Sequence, residues 1–512
     1  MPETSGQSLC CWVNRWLAPS FMALVFCLNP AAVLLNPEMP LKDPGTGWHL
    51  VTGRLVLETG RPMTEDVFSF TQAGKGFVGG AWLFQAAAAW CERLGGLPLV
   101  TAVCALLYAW VPVLLYRRML AERVPAPVAL VFCGLAFGVL MVHSLDRPHI
   151  VTYLLFAWLL STLWAFRRGD IGARAVFIHV PLMIVWCNCH RGFAVGLLLV
   201  AIFAAASFAD RVVGRRTTGW GPTRTLVGLF VAMAGASVIN PWGWGLHAST
   251  AEYLGMESIR YWNEYRSPDF LSGGSAVVAF EVMILTLVVA LAFARARLDW
   301  LEVLLVVLFL HWGLQSLRHT NLFAIIAAPP IARGIWSLCG EFPALARRLA
   351  DMGRQQAALA GGWLQIGCAS ATLLVLALRC DGLFRRDFDG IWLSRGAVDY
   401  IEAHMGNFAR PFNTDDLGGS LIYRFWPRLR VFVDDRNEVY GDRFILDEYF
   451  AVREIRPNWR EVLDRHGVDS AIVDSGSVQD TLLGSAAGWR ECYRDGRNVI
   501  FAHGPNAPIQ PR

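Results

Sequence analysis

Apolar runs of membrane-crossing length recur through the first three-quarters of this 512-residue sequence. A helix needs roughly 17–25 such residues to cross a bilayer. About eleven stretches qualify, near 14–35, 98–116, 125–145, 149–166, 175–189, 192–210, 225–241, 273–294, 299–317, 320–338 and 361–379. Only 17% of the residues are charged and the mean hydropathy is +0.40, where soluble domains carry about a quarter charged residues. This excludes an ordinary cytosolic enzyme, a disordered tail protein and a disulfide-rich secreted module. The fold class expected is an α-helical polytopic membrane protein with a small C-terminal α/β domain outside the membrane.

Arginines set the expected orientation. Alternate short loops hold Arg117, Arg118 and Arg123; then Arg167, Arg168 and Arg174; then Arg211, Arg215, Arg216 and Arg224; then Arg295 and Arg297; then Arg347, Arg348 and Arg354. Basic loops stay cytoplasmic. An odd number of spans then puts the N-terminus inside and the C-terminal segment outside. The first run lacks a small-x-small cleavage site and reads as a signal anchor. Net charge is only +4, with no like-charge run suggesting a nucleic-acid partner.

Two domains are expected: a membrane domain over 1–380, with a long first outer loop over 36–97, and an outer domain over 381–512. The loop predicts two amphipathic helices, 47–58 and 78–94. In the outer domain, 430–434, 470–473 and 498–502 read as strands, and 398–404 and 458–466 as helices. The stretch 413–419 reads as a turn. Cys380 and Cys492 could pair outside the cytosol. The cluster Cys187-Asn188-Cys189-His190 lacks a second ligand pair and reads as structural.

Polar residues gather on the expected outer face. The first loop opens Asp43-Pro44-Gly45-Thr46-Gly47-Trp48-His49 and continues Pro62-Met63-Thr64-Glu65-Asp66-Val67-Phe68-Ser69-Phe70-Thr71. A carboxylate such as Asp43 can act as general base toward an acceptor hydroxyl or amine. It can equally cap the following helix. Trp48 and His49 could contact a sugar or phosphate, or anchor the interface. The ninth span ends in His311, Gln315, Arg318 and His319, offsets that share one helical face. Arg318 could fork onto a lipid phosphate or snorkel to headgroups. Arg147 with His149, and His190 with Arg191, carry the same alternatives. Asp434, Asp435 and Arg436 could meet an acceptor or fix the outer domain onto the membrane part. The loop 240–270 mixes aromatics with charges, which suits a sugar or peptide surface or an interfacial belt.

The aspartate just past the first span, the two surface helices, the many further spans and the C-terminal outer domain resemble the GT-C superfamily. That group includes protein O-mannosyltransferases, the oligosaccharyltransferase catalytic subunit and the bacterial aminoarabinose transferase. The stretches Asp43…Trp48-His49…Gly53, Pro62…Asp66-Val67-Phe68-Ser69-Phe70-Thr71 and Val431-Phe432-Val433-Asp434-Asp435-Arg436…Tyr440-Gly441 also resemble bacterial proteins placed in this superfamily. The resemblance implies a catalytic Asp43 and a polyprenyl-phosphate- or diphosphate-linked sugar donor. Asp43 is followed by Pro44, where O-mannosyltransferases carry an Asp-Glu pair. The second outer loop offers only Asp146 where oligosaccharyltransferases hold a metal with two acids. A divalent metal wants several oxygen ligands, so metal-independent chemistry without a cofactor is favoured over a divalent metal, which stays open, and Asp66 stands as a possible second acid.

The expectation is a glycosyltransferase moving a sugar from a polyprenyl-phosphate donor to a protein, lipid or glycan acceptor outside the membrane. Two other readings stay open: an O-antigen ligase or polymerase, which would tolerate loss of Asp43, and a transporter or flippase of a lipid-linked solute. Transporters usually carry inverted repeats and broken midplane helices, and neither stands out here.

Overall fold

The computed structural model describes residues 15–215, 219–271, 273–294 and 298–504. Arg216, Arg295 and Arg297 lie outside the described residues.

Among the described residues eight helices are long and apolar enough to cross a membrane: Arg15–Leu35, Trp82–Ala121, Ala126–His143, His149–Arg168, Phe193–Val212, Ser275–Phe293, Leu317–Cys339 and Gly362–Arg379. Two shorter apolar helices, Ala173–Cys189 and Trp300–Gln315, take up the expected fifth and ninth spans. The seventh is the helix Gly221–Ala236. In hydrocarbon a helix satisfies its own backbone groups, so the chain is a multi-pass helical membrane protein.

Helix Trp82–Ala121 joins the second surface helix to the second span in one 40-residue element. It bends at Gly95–Gly96, where Gly96 takes φ +68°, a region nearly closed to other residues. The sequence places the boundary correctly but reads it as a loop.

At the other end of the bundle four arginines are paired. Arg118, Arg168 and Arg333 converge on Glu122, and Arg333 also reaches Glu302. Arg167 bridges Asp210 and Asp299. These pairs tie five helices together where the lipid-facing surface ends.

The C-terminal region holds a four-stranded sheet, in order β1-β2-β4-β3. Its strands are β1 (Pro411–Asn413), β2 (Ser470–Asp474), β3 (Trp489–Arg494) and β4 (Asn498–His503). β1 runs parallel to β2, and the other pairs are antiparallel. The expected strands at 470–473 and 498–502 are β2 and β4, and the expected helices are Arg395–Ala403 and Trp459–Arg465. The expected strand at 430–434 is corrected. Val431 makes a single bridge, with Ser69 of the first loop. Its apolar run is buried on both sides because it lies between that loop and the sheet. The apolar core of the region includes Trp48, Val51, Phe68 and Phe77, so the first loop completes it. Cys380 and Cys492 are not joined by a disulfide.

The expected turn at 413–419 is also corrected: residues Asp415–Phe425 form a helix. This helix crosses helix Thr46–Thr59 with backbones touching. A Cβ on Gly419 would lie 1.7 Å from the Pro44 carbonyl oxygen, and one on Gly47 would lie 2.2 Å from the Gly419 oxygen. Only glycine permits that approach. It brings Asp415 and Asp416 to the first loop.

Candidate active site

One cavity of about 530 Å³ lies between the polar ends of the membrane helices, the first loop and the C-terminal domain. Asp43, Trp48, His49, Arg147, His149, His190, Arg191, Arg318, His319, Asp435 and Arg436 all line it.

Asp43 sits between a short turn and helix Thr46–Thr59. Its Oδ1 accepts the Gly45 N–H at 2.7 Å, and its Oδ2 accepts from Arg147 Nη1 at 2.9 Å. The other arm of Arg147 donates to Asp435 Oδ2 at 2.9 Å, and Trp48 Nε1 donates to Asp435 Oδ1 at 2.5 Å. One guanidinium therefore joins the first-loop acid to the C-terminal domain. Burial pushes both carboxyls up while Arg147 pulls them down; Asp43 stays raised and Asp435 reaches about 7. Arg147 itself is aimed by its neighbours, with Asp146 N–H bonded to the Pro40 carbonyl at 2.9 Å. The Asp146 carboxylate turns away to accept from Thr101 at 2.5 Å.

Burial keeps His190 and His49 neutral. Nδ1 of His190 accepts the Gly192 N–H at 3.0 Å and lies 2.8 Å from Thr152 Oγ1. With Nδ1 occupied as acceptor, the ring carries its proton on Nε2. Burial, with Arg318 and Arg147 nearby, holds His190 well below the usual histidine range. Burial and Arg147 do the same to His49, which meets Gln85 at 2.8 Å. His149 Nε2 donates to the His143 carbonyl at 2.8 Å.

Arg318 Nη1 donates to Glu264 at 2.6 Å and to the Tyr265 hydroxyl at 2.7 Å. Burial pushes Glu264 up, but Arg318 and Arg147 outweigh it and its carboxyl lies below the ordinary value. Arg191 is held by Ser249 and the Val78 carbonyl, each at 2.8 Å.

Four expected site residues stand outside the cavity. His311 and Gln315 are exposed on helix Trp300–Gln315. The helix stops there because Ser316 is extended, at φ −147° and ψ 127°. The common face inferred across 311–319 is therefore broken, and Arg318 and His319 belong to the next span. Asp66 is wholly buried, accepting from Arg436 at 2.7 Å and from Ser69 Oγ at 2.5 Å. Asp434 accepts from Arg436 and the Tyr440 hydroxyl. Both acids neutralise Arg436, which is 1% exposed, and are committed to holding the first loop on the C-terminal domain.

Sequence reasoning missed Glu264, Tyr265, Trp392, Asp415, Asp416 and Arg453 as cavity residues. The aromatic and charged loop at 240–270 carried a signal for the first two. The Gly418-Gly419 pair after Asp415-Asp416 reads as a turn until the helix crossing explains it.

This is the GT-C fold, built on a multi-pass membrane protein. The chain is similar to a solved oligosaccharyltransferase from Archaeoglobus fulgidus, AglB, in complex with an inhibitory peptide and a dolichol-phosphate. The TM-score is 0.52 at 12% identity, over 92% of this chain and 69% of that one. A second structure of the A. fulgidus oligosaccharyltransferase, tethered to an acceptor peptide, gives 0.52 at 12% identity over 91% and 69%. ArnT from Cupriavidus metallidurans bound to undecaprenyl phosphate gives 0.48 at 15% identity, over 95% and 99%. No protein-family profile and no curated protein matches the sequence.

Proposed function

We propose that this protein is a membrane glycosyltransferase that moves a sugar from a polyprenyl-phosphate-linked donor to an acceptor on the extracytoplasmic face of a bacterial inner membrane. The observation that carries this reading is Asp43: a cavity carboxylate with a raised pKa, fixed by Arg147 beside further arginines. The AglB structure, which shares the fold, holds a dolichol-phosphate.

In this reading the acceptor hydroxyl or amine attacks the anomeric carbon and gives its proton to Asp43. The anomeric C–O bond to phosphate breaks, and the carrier phosphate leaves with the electron pair. A base with a pKa raised toward the working pH suits the first task. Arg147, Arg318 and His319 stabilise the charge that grows on the departing phosphate, and the Nε2–H of His190 adds a neutral donor. Trp48 and His49 border the sugar, and Arg191 borders the carrier.

The reaction is proposed to need no divalent metal. The donor set fits one poorly: both Asp43 oxygens and both Asp435 oxygens already accept from Arg147, Gly45 or Trp48. Among the described residues no three His, Cys, Asp or Glu side chains gather as a metal site.

The test is transfer from a radiolabelled panel of polyprenyl-phosphate sugars, wild type beside Asp43→Asn, each with and without EDTA. Asp43-dependent release of sugar, indifferent to EDTA, is the expected result. Transfer that survives Asp43→Asn in folded protein overturns the reading.

A further inference from the structure

We propose that the cavity wall formed by the C-terminal domain and the loop after helix Gly245–Gly255 is an acceptor subsite for a neutral, hydroxyl-rich saccharide. The proposal rests on the glycosyltransferase reading and names its acceptor class.

This wall carries buried hydrogen-bonding atoms that no described residue satisfies: the indole Nε1 of Trp262 and of Trp392, Nη1 of Arg436 and Oδ1 of Asn437. Arg436 and Asn437 are 1% and 6% exposed. An unmet buried donor or acceptor costs about 1–3 kcal/mol, so four on one wall point to a ligand that supplies partners. Asp416 lines the same wall, and among the described residues no hydrogen bond or ion pair reaches its carboxylate. Burial and the neighbouring Asp415 push it up to about 7, where a carboxyl can donate or accept.

Each sugar hydroxyl both donates and accepts. Carboxyls facing indole and guanidinium N–H groups match that alternation, and the indole faces suit the apolar side of a pyranose. The wall holds no surplus cation for a phosphorylated acceptor. Arg436 is neutralised by Asp66 and Asp434, and Arg453 faces Asp415 and Asp416. A peptide acceptor would look for an open strand edge, but no residue of β1–β4 lines the cavity.

The test is saturation-transfer NMR of the full-length protein in a detergent without a sugar headgroup, with undecaprenyl phosphate present. The probes are neutral di- and trisaccharides of glucose, galactose, mannose and N-acetylglucosamine, a hexapeptide pool, and glucosamine phosphate. At least one neutral saccharide is expected to bind, with affinity falling tenfold or more in Asp416→Asn and in Trp262→Phe. Both variants should still bind undecaprenyl phosphate, which reports their folding. Binding of the peptide or the phosphosugar alone overturns the proposal, as does saccharide binding indifferent to both variants, or no saccharide binding while undecaprenyl phosphate binds. Failure of the wild type to bind undecaprenyl phosphate strikes the donor reading instead.

Discussion

The guanidinium of Arg147 reaches Asp43 across 104 positions of chain, Nη1 to Oδ2 at 2.9 Å. Its second arm reaches Asp435 at the same distance. Arg147→Lys offers one point charge where two arms are needed, so it is not a conservative change. The variant should fold, lose transfer by tenfold or more and show a shifted pH–rate profile, because one of the two carboxyls loses its cation. A profile and rate equal to wild type would remove Arg147 from the mechanism.

Asp43 and Asp66 should separate cleanly. Asp43→Asn is expected to lower turnover by about 10²–10⁴-fold, the usual contribution of a general base, with little change in thermal midpoint. Asp66→Asn weakens a wholly buried pair with Arg436, and breaking such pairs costs about 3–5 kcal/mol. Its midpoint should drop by several degrees while turnover per folded molecule holds. Melting curves beside initial rates decide between the two patterns.

Asp146 should make stability depend on pH. Burial pushes its carboxyl up to about 7 from an ordinary 3.8, against the pull of the Thr101 hydroxyl. A raised carboxyl favours the folded state most at low pH, and that share is lost as pH climbs through the folded value. The wild-type melting midpoint should therefore fall between pH 5 and pH 8. Asp146→Asn should come close to wild type only near pH 4 and exceed it by a margin that grows up to about pH 7, since each pKa unit is worth about 1.4 kcal/mol. Asp416 and Asp435, also near 7, keep part of the slope in the variant.

Gly419→Ala should undo the contact between the first loop and the C-terminal domain. The added carbon would meet the Pro44 carbonyl at 1.7 Å, and that backbone cannot give way without moving Asp43. Faster proteolytic release of the C-terminal domain and loss of transfer are expected. Unchanged proteolysis would mean the crossing tolerates a methyl group.

Much of this was readable from residues alone. The apolar runs located the membrane helices because length and hydropathy dictate them. Asp43, Arg147, His190 and Arg318 emerged because polar groups at span ends are costly without a purpose. What escaped depended on distant contacts. Val431-Phe432-Val433 looks like a sheet strand, yet its partner is Ser69 of the first loop. Asp66 and Asp43 look alike in sequence, and only Arg436 distinguishes them. His311 falls out of register because Ser316 breaks the helix, a local event that periodicity cannot see.

Trp48 and Asp435 are 387 positions apart and bonded directly. The first loop and the C-terminal domain share one apolar core, with Trp48, Val51, Phe68 and Phe77 packed among the residues of that domain. The wall of the cavity that Trp48 and Asp435 build therefore exists only when these two distant stretches have folded against each other.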